Sequence, residues 1–323
     1  MKVSIAMATY NGSKWIEEQL DSFARQELPP DELVICDDCS KDETISIVER
    51  FRRRASFEIR VVSNEINSGH IKSFLRAMAD CSGDLIFLSD QDDVWHRNKI
   101  LAMTRLASAM PRHHVFLNDA AYADANGAPY GLTVLKQCIN VGSGADGHIA
   151  GACTAVTREF ADFIRPENFV DMPKYHDVYL HRWGKALRCR HTCNEILQVW
   201  RIHEGNSSVE TKMANPEPMS LATWRAKFKG VDPRTDYLNK AAQFRKMRAH
   251  LRVRRIEFGR LNVSVGFDDV DFELSRNIEA LENRAALREM SYTGRLAAIA
   301  DMALRGKYKY FYGWKSIAKD LMI

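Results

Sequence analysis

The chain has 323 residues, 46% of them hydrophobic and 27% charged, with a formal net charge of +4. That composition excludes a collagen-like, low-complexity or mainly disordered chain, and no stretch reaches the roughly 18 uninterrupted apolar residues of a membrane span. Seven cysteines is an odd, low number for this length and argues against a disulfide framework. The N-terminal apolar run is short and leads into Asn11-Gly12. It reads as a first strand rather than a signal peptide, which predicts a cytoplasmic protein.

Five short apolar runs come first: Val3–Ala8, Leu33–Cys36, Ile59–Val62, Leu85–Leu88 and Val115–Leu117. Their length and β-branching fit buried parallel strands. Helical spacing lies between them, over Lys14–Ala24 (Trp15, Ile16, Leu20, Phe23), Asp42–Arg54 and His70–Asp80. Alternating strands and helices predict a doubly wound α/β sheet. Ligands of such sheets bind beyond the carboxyl ends of the strands. The polar residues gather there: Thr9-Tyr10-Asn11-Gly12, Asp37-Asp38-Cys39-Ser40 and Ser89-Asp90-Gln91-Asp92-Asp93.

Each cluster has a functional and a plain reading. Three carboxylates in Asp90–Asp93 repel unless a cation or hydrogen bonds compensate, which suits Mg2+ or Mn2+ shared with a diphosphate. Alternatively, Asp93 caps a helix starting at Val94-Trp95. Asp37 or Asp38 suits the imide N–H of uracil or thymine, while Ser40 or Asp42 suits a turn or cap. Asp177, in Lys174-Tyr175-His176-Asp177, is either a helix cap or a general base. After the strand-like run Ile196–Trp200, Arg201 suits a diphosphate and His203 a metal or a structural role. Cys36–Cys39 and Cys189–Cys193 allow zinc in principle, but a cysteine in a buried strand commonly packs as a small apolar residue.

Taken in order, Ala8-Thr9-Tyr10-Asn11-Gly12, Asp37-Asp38-x-Ser40-x-Asp42, Asn67-Ser68-Gly69, Gly83-Asp84, Ser89-Asp90-Gln91-Asp92-Asp93-Val94-Trp95, His176-Asp177 and Trp200-Arg201-x-His203-x-Gly205-Asn206-Ser207 resemble the family 2 glycosyltransferases. The wording is similar to the bacterial rhamnosyltransferase-like branch over roughly residues 1–210. The resemblance implies a GT-A fold, a Rossmann-like, doubly wound mixed sheet. It implies an inverting, metal-dependent transfer of a sugar from a nucleotide-diphosphate donor, with dTDP-rhamnose or a UDP-hexose as that donor. Thr9, Tyr10, Asn11, Asp37, Asp38, Asn67, Asp90 and Arg201 are then expected at the donor nucleotide. Asp92, Asp90 and His203 are expected at Mn2+ or Mg2+, and Asp177 as the general base.

The sequence departs from the branch pattern near the acceptor. Val178 and Tyr179 follow His176-Asp177 where two aromatics are usual, and Glu204 separates His203 from Gly205-Asn206. A Gln-x-x-Arg-Trp segment, carried by processive synthases, is absent, which points to the addition of one or a few sugars to a glycan or lipid-linked acceptor. The competing readings are a sugar nucleotidyltransferase, and a non-catalytic lipid or glycan adaptor.

Beyond about Asn215 strand signals give way to helical spacing at Ser220–Lys229, Thr235–Phe258, Phe272–Met290 and Thr293–Ala303. We therefore divide the chain into a catalytic domain, 1–215, and a helical C-terminal domain, 216–323. Leu221–Arg260 holds twelve Lys/Arg against three Asp/Glu, a net of +9, so the remainder carries −5. Two readings stand for this segment: helices lying on an anionic membrane surface, peripheral on the inner face of the cytoplasmic membrane, or a solvated face packed on its own domain. Lys307–Lys315, basic and aromatic, has the same two readings. With no nucleic-acid motif beside them, nucleic acid is not expected as a partner.

Overall fold

The computed structural model describes residues 1–140, 150–165, 176–204, 233–311 and 313–321, together with Gly144, Gly147 and Asn206. The expected helix at Ser220–Lys229 lies outside these residues, as do Lys174, Tyr175, Gly205, Ser207 and Tyr312. The chain splits into two compact units, Met1–Pro216 with Leu261–Ser264, and Glu217–Arg260 with Val265–Ile323. Among the described residues no helix is long and apolar enough to cross a membrane.

In the first unit, strands β1 (Val3–Thr9), β2 (Glu32–Asp37), β3 (Glu58–Ser63) and β4 (Leu85–Ser89) alternate with helices α1 (Ile16–Ala24), α2 (Thr44–Arg52) and α3 (His70–Asp80). There follow β5 (Val94–Trp95), α4 (Lys99–Ala109), β6 (Val115–Ala123), β7 (Pro129–Thr133), α5 (Val134–Asn140), β8 (Thr154–Thr157), α6 (Arg158–Ile164), α7 (His176–Ala186) and β9 (Arg190–Arg201). They form one nine-stranded sheet in the order β3-β2-β1-β4-β8-β6-β9-β5, with β7 beside β6. Ile5, Met7, Leu33, Ile35, Leu85 and Phe87 fill its core with Leu20, Phe23 and Phe51 from the helices. Each such side chain contributes about 1.5–3 kcal/mol on burial.

The pairing is parallel from β3 to β4 and antiparallel where β8 enters between β4 and β6. Val115–Leu117, expected as one of a parallel set, is thus separated from β4 by a strand of opposite direction. Because β8 reverses twice, β6 and β9 run the same way as β1 and β4. The carboxyl ends of β1, β2, β4 and β9 therefore share one edge.

Val94-Trp95 departs from the helix-cap reading. Val94 pairs with Val199 and Trp95 with Gln198 in a two-residue strand. The Trp95 ring is buried between Phe23 and Phe87, with centroids 4.7 and 5.7 Å away. Burying the indole outweighs the local tendency of Asp93 to start a helix, so Asp93 caps nothing.

The second unit contains α8 (Arg234–Val253), α9 (Arg255–Arg260), α10 (Phe267–Ala286), α11 (Tyr292–Leu304) and α12 (Trp314–Leu321). The helix expected over Thr235–Phe258 is broken at Arg254. The bases of α8 are largely matched within the unit. Arg248 and Arg252 each make paired bonds of 2.8 and 2.9 Å to Asp271, Arg245 pairs with Glu282, and Lys240 lies 2.7 Å from Asp236. Of the second basic-aromatic stretch, Lys307 and Tyr308 are buried. Lys307 pairs with Glu279 at 2.8 Å. Tyr308 donates to Asp320 at 2.9 Å, beside the buried Arg284–Asp320 pair. These contacts favour packing within the unit for much of the charge that the sequence concentrates here.

Candidate functional site

The edge formed by four strand ends is built by backbone clamps. In register, Thr9 stands opposite Asp37 and Met7 opposite Ser89. Thr9 donates its hydroxyl to Asp37 at 2.8 Å, and Asp37 also accepts from the Ser40 amide and hydroxyl at 2.9 and 2.6 Å. The Gln91 side chain both accepts from the Tyr10 amide, at 2.9 Å, and donates to the Tyr10 carbonyl, at 3.0 Å. The Tyr10 ring is left exposed above the sheet edge. This clamp requires glycine at position 12, where an added Cβ would stand 2.2 Å from Gln91 Oε1. Asn11 takes a positive φ of 47°. Its amide donates to Ser40 and its side chain accepts from the Lys41 amide, so the loops after β1 and β2 brace each other.

Asp38 is buried and accepts three hydrogen bonds, from Asn64 Nδ2 at 2.8 Å and from the amides of Ser68 and Gly69 at 2.7 and 2.8 Å. It thereby fixes the turn into α3, where Gly69 sits at a φ of 84° that favours glycine. A carboxylate offers about four lone-pair sites, so Asp37 and Asp38 each use most of their capacity in shaping loops. Asn67 is exposed on the same loop.

The third cluster divides by burial. Asp90 is half-buried at the end of β4. Asp92 Oδ2 lies 2.9 Å from His203 Nε2 and 3.4 Å from Asn206 Nδ2. Asp93 is 1% exposed and accepts from Gln198 Nε2 at 3.0 Å and the Arg201 amide at 3.3 Å. Burial, with the charges of Asp92 and Asp90 beside it, pushes the Asp93 carboxyl well above the usual range. Gln198 is also bonded to Lys99, which is 1% exposed and lies over the Trp95 ring at 3.9 Å. Burial drives the Lys99 ammonium down to about 7. Asp93, Gln198 and Lys99 thus form a buried support beneath Asp92 and Arg201.

Arg201 is 4% exposed and its Nη2 lies 2.6 Å from Glu18 Oε2. Asp177 stands in the first turn of α7, where its Oδ1 accepts from the Val178 amide at 2.7 Å. It is near His70 at the start of α3: burial lowers the His70 pKa, while the charges of Asp177 and Asp38 act to raise it. The carboxylate therefore belongs to the same edge as the α3 turn held by Asp38.

The structure brings Asp92 and His203 together, with Arg201 two residues before His203. One carboxylate oxygen and one imidazole nitrogen that face each other fit a divalent cation such as Mn2+. Among the described residues no group of three His, Cys, Asp or Glu side chains forms a metal site, so further ligands would come from a diphosphate and water. None of the seven cysteines forms a disulfide, and Cys36 and Cys39 are both engaged with Asn64. Trp15, Glu18, Gln91, Lys99 and Gln198 are the participants that sequence reasoning passed over. Trp15 counted as an apolar residue of the helix expected over Lys14–Ala24. The one available signal was its position, with Lys14 and Glu18, directly after a strand end rich in polar residues.

Residues 4–132 match the model described as glycosyl transferase family 2. The chain is 32% identical over 137 residues to the poly(ribitol-phosphate) beta-N-acetylglucosaminyltransferase TarS of Staphylococcus aureus (strain Mu50 / ATCC 700699), a match covering 41% of this chain and 23% of that protein. It is 40% identical over 98 residues to the dTDP-rhamnosyl transferase RfbG of Shigella flexneri, covering 29% of this chain and 34% of that one. The chain therefore spans a quarter to a third of the length of these relatives. The structure of S. aureus TarS 1-349 in complex with UDP-GlcNAc superposes with a TM-score of 0.57 at 16% identity, over 99% of this chain and 89% of that one. The sheet is accordingly that of the GT-A fold, and residues 4–132 form its glycosyl transferase family 2 part.

Proposed function

We propose that the protein transfers a single sugar, with inversion, from a nucleotide-diphosphate sugar to a glycan or lipid-linked acceptor in surface polysaccharide synthesis. The observation that carries this reading is the Asp92–His203 pair beside Arg201 at the carboxyl edge of the sheet. The UDP-GlcNAc bound by TarS and the dTDP-rhamnosyl transfer named for RfbG support a pyrimidine nucleotide donor, dTDP-rhamnose first and a UDP-hexose next.

In this reading the exposed Tyr10 ring faces the base, and the braced loops carrying Thr9, Asn11, Asp37, Asp38 and Asn67 wall the nucleoside pocket. Asp90 faces the ribose or sugar. Arg201 holds the diphosphate through its planar guanidinium. Mn2+ or Mg2+, held by Asp92 and His203 with Asp90 beside them, would supply neutralisation of the charge that gathers on the departing diphosphate. Asp177 takes the proton of the acceptor hydroxyl as its oxygen attacks the anomeric carbon from the face opposite the leaving group. One displacement inverts that carbon and needs no covalent sugar–enzyme intermediate. Residues 221–260, with the exposed Val253 and Ile256, would meet an anionic membrane surface. Enzyme of this kind would work peripherally on the inner face of the cytoplasmic membrane.

The test is transfer from labelled dTDP-rhamnose, UDP-glucose and UDP-GlcNAc to lipid-linked acceptors, with and without Mn2+. Metal-dependent appearance of product supports the reading. Pyrophosphate release from a nucleoside triphosphate would mark a nucleotidyltransferase instead, and lipid binding without turnover of any donor would mark an adaptor.

A further inference from the structure

Trp15 sits in the turn that opens α1, where its amide donates to the Gly12 carbonyl at 3.0 Å. Its indole is only partly buried and meets two groups from the other end of the catalytic unit. The His203 imidazole stacks on it with centroids 5.2 Å apart and planes at 27°. The Arg201 guanidinium carbon lies 4.6 Å from the ring centroid. Glu18, on the next turn of α1, holds Arg201 Nη2. Arg201 Nε is buried with no hydrogen-bond partner among the described residues. The guanidinium is thus fixed by one carboxylate and one aromatic face, with a donor left over.

We infer that Trp15 is a positioning residue: its indole face presets Arg201 and His203 together, so that one side chain at the start of α1 aligns the diphosphate-binding and metal-binding groups. The inference rests on the transferase reading and adds to it a residue that touches neither donor nor acceptor. Arg and His lose rotamer freedom when they are ordered, and a flat π-face orders both without competing for their hydrogen bonds. An aliphatic side chain of similar bulk would keep the packing and lose this constraint. Trp15 is not part of the sheet core, so replacing it leaves that core intact.

The experiment compares full-length wild type, Trp15→Phe and Trp15→Met for binding of UDP, dTDP and GDP by calorimetry, in EDTA and then in Mn2+. The expected result is nucleotide affinity weakened about tenfold in Trp15→Met, the size of a partly desolvated cation–π contact, with an unchanged melting temperature and most of the affinity restored in Trp15→Phe. Equal affinity in wild type and Trp15→Met overturns the inference, as does a Phe variant as weak as the Met variant. Should Trp15→Met not fold, 19F NMR of 5-fluorotryptophan-labelled wild type decides. The Trp15 resonance, identified by its absence from Trp15→Phe, moves when nucleotide binds; a stationary resonance in nucleotide-bound protein refutes the inference. A wild type that binds none of the three nucleotides overturns the transferase reading and this inference with it, whereas binding that is indifferent to Trp15 overturns the inference alone.

Discussion

His203 Nε2 lies 2.9 Å from Asp92 Oδ2, a contact that joins residues 111 positions apart at one edge of the sheet. It depends on β5 pairing antiparallel with β9, Val94 opposite Val199, which brings Asp92 alongside the chain that leaves the carboxyl end of β9. Asp92→Ala is therefore expected to reduce transfer on the order of a thousandfold, equivalent to several kcal/mol of charge stabilisation, while the fold stands. His203→Ala falls in the same direction, and the double variant loses little more than Asp92→Ala because the two act as one unit. Turnover and melting temperature of the four proteins check this; near-normal transfer by Asp92→Ala would refute the assignment.

Asp177→Asn keeps the shape of the side chain and removes its basicity. We expect unchanged donor affinity and a loss of about 10²–10⁴ in kcat, the usual contribution of a general base. Calorimetry with the donor diphosphate, set against steady-state rates, separates the two effects. Loss of donor binding would mean that Asp177 has another role.

Asp38 accepts two backbone amides and one side-chain amide. Asp38→Asn turns part of that acceptor into a donor facing donors. A cost of about 1–3 kcal/mol is expected for bonds left unmade, read in urea unfolding, and it should appear with or without nucleotide. A variant of wild-type stability would show that the α3 turn does not rely on this carboxylate.

Glu32 sets the acid limb of stability. Burial by itself raises its pKa, but hydrogen bonds from Ser4, Ser82 and Arg60 outweigh burial and hold it at about 2, against 4.5 for the free group. A depressed carboxyl contributes stability that is present above pH 4.5 and lost as pH falls from 4.5 toward 2. Glu32→Gln should be destabilised at pH 7 by about 1–3 kcal/mol, with the gap to wild type closing toward pH 2. Denaturant titrations at several pH values measure it, and a gap that is constant with pH would contradict the assignment.

Lys99 acts in the opposite window. Its folded pKa of about 7 lies below the usual 10.5 because burial penalises the charge. Between these values the unfolded chain holds one more proton than the folded chain, so wild-type stability gains with rising pH. Lys99→Met has no such gain. Its stability relative to wild type should therefore be highest at pH 7 and decline toward pH 10, as read from paired unfolding curves. A difference that does not change with pH would show that the Lys99 charge is not desolvated.

Much of the fold was legible in local periodicity. The runs Val3–Ala8, Leu33–Cys36 and Leu85–Leu88 became β1, β2 and β4, and the helix read over His70–Asp80 has those bounds. Such elements are specified by neighbouring residues: β-branched apolar runs fit a sheet buried on both faces, and apolar residues at 3.6-residue spacing make one helical face. The polar strand ends were legible for the same reason, because a parallel sheet gathers its carboxyl ends on one edge.

What the tertiary structure decided lay in contacts between distant positions. The insertion of β8 between β4 and β6, the strand conformation of Val94-Trp95, the buried Asp93–Gln198–Lys99 support and the stacking of Trp15 on Arg201 and His203 have no local spacing that announces them. The basic character of α8 is partly balanced for a related reason, since Asp271 and Glu282 of α10 pair with some of the bases whose count alone suggests an anionic partner. The sequence by itself determined which residues are apolar, charged or turn-forming, and hence the elements and the chemistry available at the sheet edge. Which of those groups meet was decided by packing, because burial of Trp95 and the direction of β9 bring together side chains that local propensity cannot relate.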